Sequence, residues 1–182
     1  MKIEDNFLKQ GEFDKIQKVM MGELIPWYFH IKYYSAERSE PSLIETAPEA
    51  ELNKFSFLHV FYSQHNAQSP LTQQLNGLLE ILNPASIIKI KANLITRLPE
   101  IIENTFHTDL NEMTKEKQKQ WTTSIFYINT NNGYTLFEDG TKVESVANRM
   151  LTFPASTRHT GTNCTDQQTR VIINFNYFKK RP

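Results

Sequence analysis

Three segments in the second half of the chain alternate between apolar and polar residues, and this pattern constrains the fold more than any other feature. They are residues 87–94, 123–129 and 170–177. Such alternation predicts strands with one packed face and one wet face. In the last segment the apolar face carries Val171, Ile173, Phe175 and Tyr177, and the polar face carries Arg170, Ile172, Asn174 and Asn176. The polar faces meet bulk solvent in the usual case, or they line a polar cavity inside a jelly roll whose outer side is covered by helices.

The first half of the chain has a different character. Helices are expected within residues 1–22 and at 71–82, and strands at 27–34 and 55–62. Residues 36–53 form an acidic loop that is long for a compact domain. Helices followed by many strands predict a mainly β (α+β) domain or a jelly roll with supporting helices. We expect one domain over residues 1–182, with N-terminal support in about 1–83 and a core in about 84–178.

Composition excludes several classes of function. The chain has 20 acidic and 20 basic residues, so no bulk charge indicates nucleic acid or an anionic membrane as a partner. Its one cysteine, Cys164, allows no internal disulfide. We find no signal-peptide pattern and no apolar run of membrane-spanning length. A cytoplasmic protein is therefore expected, and the sequence does not indicate its oligomeric state.

One group of residues has the composition of a metal site. His107 and Asp109 are two positions apart, so in an extended segment both side chains leave the same face. His159 lies 50 residues after Asp109 and must reach the site by folding. Two histidines and one carboxylate with open positions form the ligand set of non-haem Fe(II) oxygenases. We therefore expect the three residues to bind one metal ion and to be the catalytic centre.

The spacing of His107, Asp109, His159 and Arg170 resembles the Fe(II)/2-oxoglutarate-dependent dioxygenase superfamily, in particular its prolyl 4-hydroxylase-like branch. Segments 123–129, 133–137 and 170–175 resemble strands of that family, and the match covers roughly residues 85–178. The resemblance implies a double-stranded β-helix (jelly roll) and favours the cavity over bulk solvent for the polar strand faces. It also suggests small bacterial or phage proteins as relatives.

The resemblance further implies roles for individual residues. Arg170 would bind the far carboxylate of the cosubstrate 2-oxoglutarate, and its planar fork suits that carboxylate. Tyr127 would support the same carboxylate, and Thr135 would lie nearby. Asn93 and Asn174 would line the pocket. The implied reaction uses Fe(II), dioxygen and 2-oxoglutarate, with ascorbate in support, and hydroxylates an aliphatic C–H bond with release of succinate and CO2.

Two alternatives remain open on the sequence. The chain could be a cupin-like metal-dependent jelly-roll enzyme that does not use 2-oxoglutarate, or a non-catalytic jelly-roll binding module. The substrate is also open: a peptidyl substrate is expected, with proline the first to try, and a small molecule is the other candidate. The segments expected to select it are 36–53, 62–70 and 110–120.

Overall fold

The structure is a computed structural model, and it describes residues 1–31 and 55–180. The acidic loop expected at 36–53 and the end of the strand expected at 27–34 lie outside these ranges. The strands are β1 (Lys2–Glu4), β2 (Tyr28–Ile31), β3 (Phe55–Ser63), β4 (Asn66–Ala67), β5 (Pro84–Thr96), β6 (Thr122–Tyr127), β7 (Tyr134–Phe137), β8 (Lys142–Glu144), β9 (Arg149–Pro154), β10 (His159–Gly161) and β11 (Thr169–Lys179). The helices are α1 (Gln10–Met20), a 3-10 helix (Pro70–Leu75), α2 (Asn76–Leu82) and α3 (Lys115–Gln118).

Two antiparallel sheets form the framework. The larger has the order β1-β9-β6-β11-β5-β3-β2, with β4 paired to β3, and the smaller has the order β10-β7-β8. A small cluster of buried side chains joins them, including Tyr127, Phe137, Phe153 and Ile172. The mainly β jelly-roll fold predicted from the sequence is therefore confirmed.

The helices cover the other face of the larger sheet. Phe13, Ile16 and Met20 of α1 and Leu78 of α2 pack on it in the main apolar cluster. The cluster also contains alternate residues of the central strands, namely Ile90, Ala92, Phe126, Ile128, Val171, Ile173 and Phe175. The intervening residues point towards the smaller sheet, as the alternation predicted.

Three details of local structure differ from the predictions. The chain does not begin with a helix, because Lys2–Glu4 pairs with the edge strand β9 and α1 starts only at Gln10. The alternation in residues 87–94 predicts Ile88, Ile90, Ala92 and Leu94 on the apolar face of β5, but Ile87 packs on the core in place of Ile88. The register between β5 and β11 shifts at this point, and a one-residue irregularity reverses the alternation. The helix expected at 71–82 divides into the 3-10 helix and α2.

A buried asparagine fixes the start of the chain to the sheet. Asn148 Oδ1 accepts a hydrogen bond from the Leu8 amide, and Asn148 Nδ2 donates to the Leu8 carbonyl, both at 2.9 Å. Asn148 is 3% exposed and has a φ of 62°, in the left-handed region that asparagine tolerates better than most residues. Both polar atoms of the Leu8 backbone therefore depend on one side chain.

We expect Asn148→Ala to lower the free energy of unfolding by about 2–4 kcal/mol, because it leaves two buried backbone groups unpaired and places alanine at positive φ. Asn83→Ala is the matched control, since Asn83 also has a positive φ of 44° but is exposed at the end of α2. That change should cost about 1 kcal/mol. Urea denaturation measures both, and equal losses would contradict the role of the Leu8 clamp.

Candidate metal centre

The two histidines of the expected site are neighbours through their backbones. His107 N–H donates to His159 O at 2.9 Å, and His159 N–H donates to His107 O at 3.0 Å. This antiparallel bridge brings together residues that are 52 positions apart, and the two ring centroids lie 5.1 Å from each other. His159 begins β10 and packs edge-on against Phe153 with a centroid distance of 4.8 Å. One histidine therefore belongs to the small sheet and the other to the segment paired with it.

Asp109 completes the group. Its Oδ1 lies 3.8 Å from His107 Nε2 and 4.0 Å from His159 Nε2. One potential ligand atom from each residue lies within 4.8 Å of the other two. Among residues 1–31 and 55–180, this is the one group of at least three His, Cys, Asp or Glu side chains with such an arrangement. The three residues chosen from the sequence as metal ligands are thus brought together.

The hydrogen bonds of the two histidines leave the Nε2 atom of each available to bind a metal ion. His107 Nδ1 lies 3.2 Å from the Thr105 carbonyl, and His159 Nδ1 lies 3.1 Å from the Thr157 carbonyl. A carbonyl oxygen can only accept, so each Nδ1 is the protonated nitrogen and each Nε2 keeps its lone pair. Both Nε2 atoms face Asp109. Two neutral imidazoles and one carboxylate fit a divalent transition metal such as Fe(II).

The electrostatics agree with this donor set. Burial lowers the pKa of His107, with a further contribution from His159, so the neutral, metal-binding form is favoured. Burial opposes ionisation of Asp109, but His159, Lys91 and a hydrogen bond from Asn176 outweigh it and hold the pKa of Asp109 below its usual value. The carboxylate is therefore ionised at neutral pH.

Two residues without an assigned role hold the Asp109 loop. Asn176 Nδ2 donates to Asp109 Oδ2 and to Thr123 Oγ1, both at 3.0 Å. Gln118 is buried, and its Nε2 donates to the Leu110 carbonyl at 2.7 Å and to the Met113 carbonyl at 3.1 Å. The alternation had placed Asn176 on the polar face of β11 with Arg170, which is the one signal that could have identified it. No local pattern marks Gln118.

A cavity of about 60 Å³ opens beside the three ligands, and we call it the inner cavity. It is several times the roughly 10–15 Å³ that one water molecule needs. Polar residues from the two sheets line it, together with the metal-ligand group: Lys91, Asn93, Thr135, Arg170 and Asn174. The alternative in which these strand faces meet bulk solvent is therefore wrong for the residues that line the cavity.

Arg170 is the deepest charge of the inner cavity, with no exposed surface. Its Nε donates to Ser145 Oγ at 2.6 Å, and its Nη1 donates to the Thr162 carbonyl at 3.2 Å. Its Nη2 donates to Thr135 Oγ1 at 3.3 Å. All three partners are neutral, and no described carboxylate forms an ion pair with Arg170. Burial lowers the pKa of Arg170, as expected for a cation removed from water.

The other residues chosen from the sequence lie around this guanidinium. Thr135 and Asn93 line the inner cavity directly. Tyr127 does not line it, but the Tyr127 hydroxyl lies 2.8 Å from Thr135 Oγ1 and its ring lies 5.7 Å from the Arg170 guanidinium carbon. Asn174 Oδ1 is buried and has no hydrogen-bond partner among the described residues. A ligand in the cavity would satisfy that atom if it donated a hydrogen bond to it.

His59 lies away from the metal centre, where its Nδ1 contacts the Pro26 carbonyl and its Nε2 contacts Ser69 Oγ, both at 2.8 Å. None of the described helices is both long and apolar enough to cross a bilayer.

Comparisons with known proteins give a likeness of structure and none of sequence. Neither a family model nor a curated protein matches the chain. A prolyl hydroxylase from Trichoplax adhaerens, solved with a peptide of hypoxia inducible factor, shares 14% identity with this chain. The match covers 98% of this chain and 83% of that one, with a TM-score of 0.56. The α-ketoglutarate-dependent epimerase SnoN of nogalamycin biosynthesis shares 13% identity over 97% and 76%, with a TM-score of 0.62.

A third solved structure is HygX from Streptomyces hygroscopicus, with nickel, 2-oxoglutarate and hygromycin B bound. It shares 8% identity, covers 98% of this chain and 82% of that one, and has a TM-score of 0.56. Prolyl hydroxylases and other 2-oxoglutarate/Fe(II) oxygenases are therefore structural neighbours of this chain. At these identities the likeness establishes a shared fold, which is the fold that the resemblance in sequence implied.

We expect Asn176→Ala to weaken metal binding by about 10- to 100-fold, because residues that orient a ligand from behind have effects of this size. Asn174→Ala is the matched control, since Asn174 lies on the same face of the same strand and makes no hydrogen bond with Asp109. It should leave metal affinity unchanged. Calorimetric titration with Mn²⁺ measures both variants, and thermal melts check that each is folded. An equal effect of the two changes would contradict the orienting role.

Proposed function

We propose that the chain is a non-haem iron oxygenase that depends on 2-oxoglutarate and hydroxylates an aliphatic C–H bond. The observation that carries the proposal is the buried Arg170 guanidinium, which has only neutral partners among the described residues and borders the same cavity as His107, Asp109 and His159. A dicarboxylate that reaches from a metal to a buried arginine fits this arrangement. A structural metal alone gives no reason to bury a cation there.

The residues present fit both the metal and the cosubstrate. His107 Nε2, His159 Nε2 and Asp109 Oδ1 would hold the ion, and a ligand set of three leaves positions open for a cosubstrate. With 2-oxoglutarate and dioxygen, bound Fe(II) supplies the oxidation: one oxygen atom enters the C–H bond, and the other enters succinate as CO2 is lost. The same fold binds nickel and 2-oxoglutarate in HygX, which supports the assignment.

The protein residues position the cosubstrate. Arg170 would bind its far carboxylate through the Nη hydrogens that the Thr162 carbonyl and Thr135 do not use. Burial raises the pKa of Tyr127, so its hydroxyl stays protonated and can orient Thr135. A Cβ added at Gly161 would lie 3.3 Å from Arg170 Nη1, so a larger residue there would crowd the carboxylate. Asn93 and Asn174 would complete the polar lining.

We infer a peptidyl substrate, with a prolyl residue as the first candidate. The Trichoplax adhaerens prolyl hydroxylase with its bound peptide supports this class, whereas HygX with hygromycin B supports a small molecule. The direct test is succinate formation from 2-oxoglutarate with Fe(II) and ascorbate, with and without candidate substrates. A cupin-like enzyme that does not use 2-oxoglutarate, or a binding module, would form no succinate.

We expect Arg170→Lys to weaken 2-oxoglutarate binding by about 10- to 100-fold, because it keeps the charge but loses the two-pronged contact. Metal affinity should be unchanged. Arg149→Lys is the control, since Arg149 makes its 2.6 Å ion pair with Asp5 outside the cavity. Titration of 2-oxoglutarate into Mn²⁺-loaded protein measures the effect. An Arg170→Ala protein that is folded and binds 2-oxoglutarate normally would rule out the anchoring role.

We also expect proline-containing peptides incubated with the protein, Fe(II) and 2-oxoglutarate to gain one oxygen atom, about 16 Da by mass, for each succinate released. Peptides with alanine in place of proline are the control and should stay unmodified. If no peptide gains oxygen while a free small molecule does so with coupled succinate release, the peptidyl assignment fails.

A further inference from the structure

Two openings meet at the metal ligands. Besides the inner cavity, a groove of about 670 Å³ runs along the outer side of His107, and we call it the outer groove. Phe106, Met113, Lys115, Lys119, Glu138 and Arg158 are among its lining residues. His107 borders both openings, so a molecule in the groove lies next to the metal centre. Its volume is in the range of about 300–1,000 Å³ that ligand sites have.

The inner cavity retains a positive charge after its own ligands are counted, if the proposed function holds. Asp109 contributes one negative charge and Arg170 one positive charge. Fe(II) adds two positive charges and 2-oxoglutarate two negative charges, and the two histidines are neutral. These charges cancel, so the ammonium group of Lys91 remains uncompensated. Lys91 makes no ion pair with any described carboxylate.

The outer groove carries an excess of the same sign. Arg158 Nε lies 2.8 Å from Glu138 Oε1, so these two charges neutralise each other. Lys115 and Lys119 remain, four positions apart along α3 and its end, and therefore on one side of it. Neither makes an ion pair with a carboxylate in the described part of the chain. The outer groove therefore has two unpaired cations, and the neighbouring inner cavity has a third in Lys91.

The position of these lysines is fixed by the metal-ligand loop. Gln118 lies between them and donates from Nε2 to the Leu110 and Met113 carbonyls, which flank Asp109 on its C-terminal side. The side chain of Lys117, by contrast, does not line the groove. These hydrogen bonds tie the backbone of α3 to the loop that carries Asp109, and Lys117 is a control on the same helix.

We propose that the substrate of this site is an acidic peptide, with a carboxylate close to the reacting C–H bond. Lys91 binds that carboxylate at the edge of the inner cavity, and Lys115 and Lys119 bind acidic side chains further along the outer groove. The proposal names the substrate class of the proposed oxygenase. The three lysines would select the substrate by its charge. The metal would supply the chemistry, and Arg170 would bind the cosubstrate.

The test is peptide binding rather than turnover. The full 182-residue chain, loaded with Mn²⁺ and 2-oxoglutarate without oxygen, is titrated against fluorescein-labelled proline peptides. Three peptides differ only in the residues that flank proline, which are Asp, Asn or Lys. We expect the Asp peptide to bind at least about tenfold more tightly than the Lys peptide at low salt, with the difference collapsing at about 1 M salt, where the Debye length is about 3 Å.

Four variants assign the effect to residues. Lys115→Gln and Lys119→Gln should each weaken binding of the Asp peptide by about two- to fivefold, the range for exposed ion pairs. Lys91→Gln should weaken binding of the Asp peptide by about tenfold or more, because the substrate carboxylate beside Lys91 would be less exposed to solvent than those in the groove. Lys117→Gln should have no effect. The three changes on α3 and its end, Lys115→Gln, Lys117→Gln and Lys119→Gln, should not change binding of the Asn peptide or of Mn²⁺.

The outcomes separate this proposal from the proposed function. Equal binding of the Asp and Lys peptides, or equal effects of Lys117→Gln and Lys115→Gln, overturns the acidic-peptide inference and leaves the oxygenase assignment intact. Charge-dependent binding through Lys91, Lys115 and Lys119 without succinate formation supports the inference and overturns the oxygenase assignment. Binding of free N-acetylaspartate is measured last. If it binds as tightly as the Asp peptide, the site takes a small carboxylate and the peptide inference is wrong.

Discussion

The pleat of β11 is the constraint on which the site depends. This strand pairs with β5 on one side and β6 on the other, so its register is fixed along most of its length. Val171, Ile173 and Phe175 face the helices and are buried. The alternate residues, including Arg170 and Asn174, must then face the inner cavity. A slip of one residue would exchange the two faces, so burial of the apolar side is what holds the guanidinium in the cavity.

Burial of Arg170 has an energetic consequence that links the fold to its ligand. Ser145, Thr135 and the Thr162 carbonyl satisfy three of its hydrogens, but they supply no negative charge. Removing a cation from water costs several kcal/mol unless a counter-charge is nearby. An anion that reaches Arg170 would supply it at a point where the hydrogen-bond geometry already exists. The stability that the apolar core provides is therefore partly used to keep this cation buried.

The sequence predicted the parts of the site that depend on local periodicity. Alternation along the chain places Arg170 and Asn93 on the polar faces of their strands, and the His107-x-Asp109 spacing pairs two ligands. Thr135 and the cavity itself were implied by the family resemblance. The sequence could not predict the bridge between His107 and His159, because backbone pairing across 52 residues leaves no mark on either segment. For the same reason the alternation placed Asn176 on the polar face of β11 but did not reveal its contact with Asp109. The bulge that moves Ile87 into the core was also hidden, since both neighbours are isoleucines.

The three ligands are supported unequally, and this divides the site into two parts. His159 begins a strand of the small sheet and packs against Phe153, so it belongs to the same rigid framework as Arg170. His107 and Asp109 lie outside the named strands, on a segment held by the bridge to His159, by Asn176 and by Gln118. The side chain of His107 is 28% exposed, compared with 3% for His159. His159 and Arg170 therefore belong to the two sheets, while Thr108, Lys115 and Lys119 lie on the segment outside them that borders the outer groove.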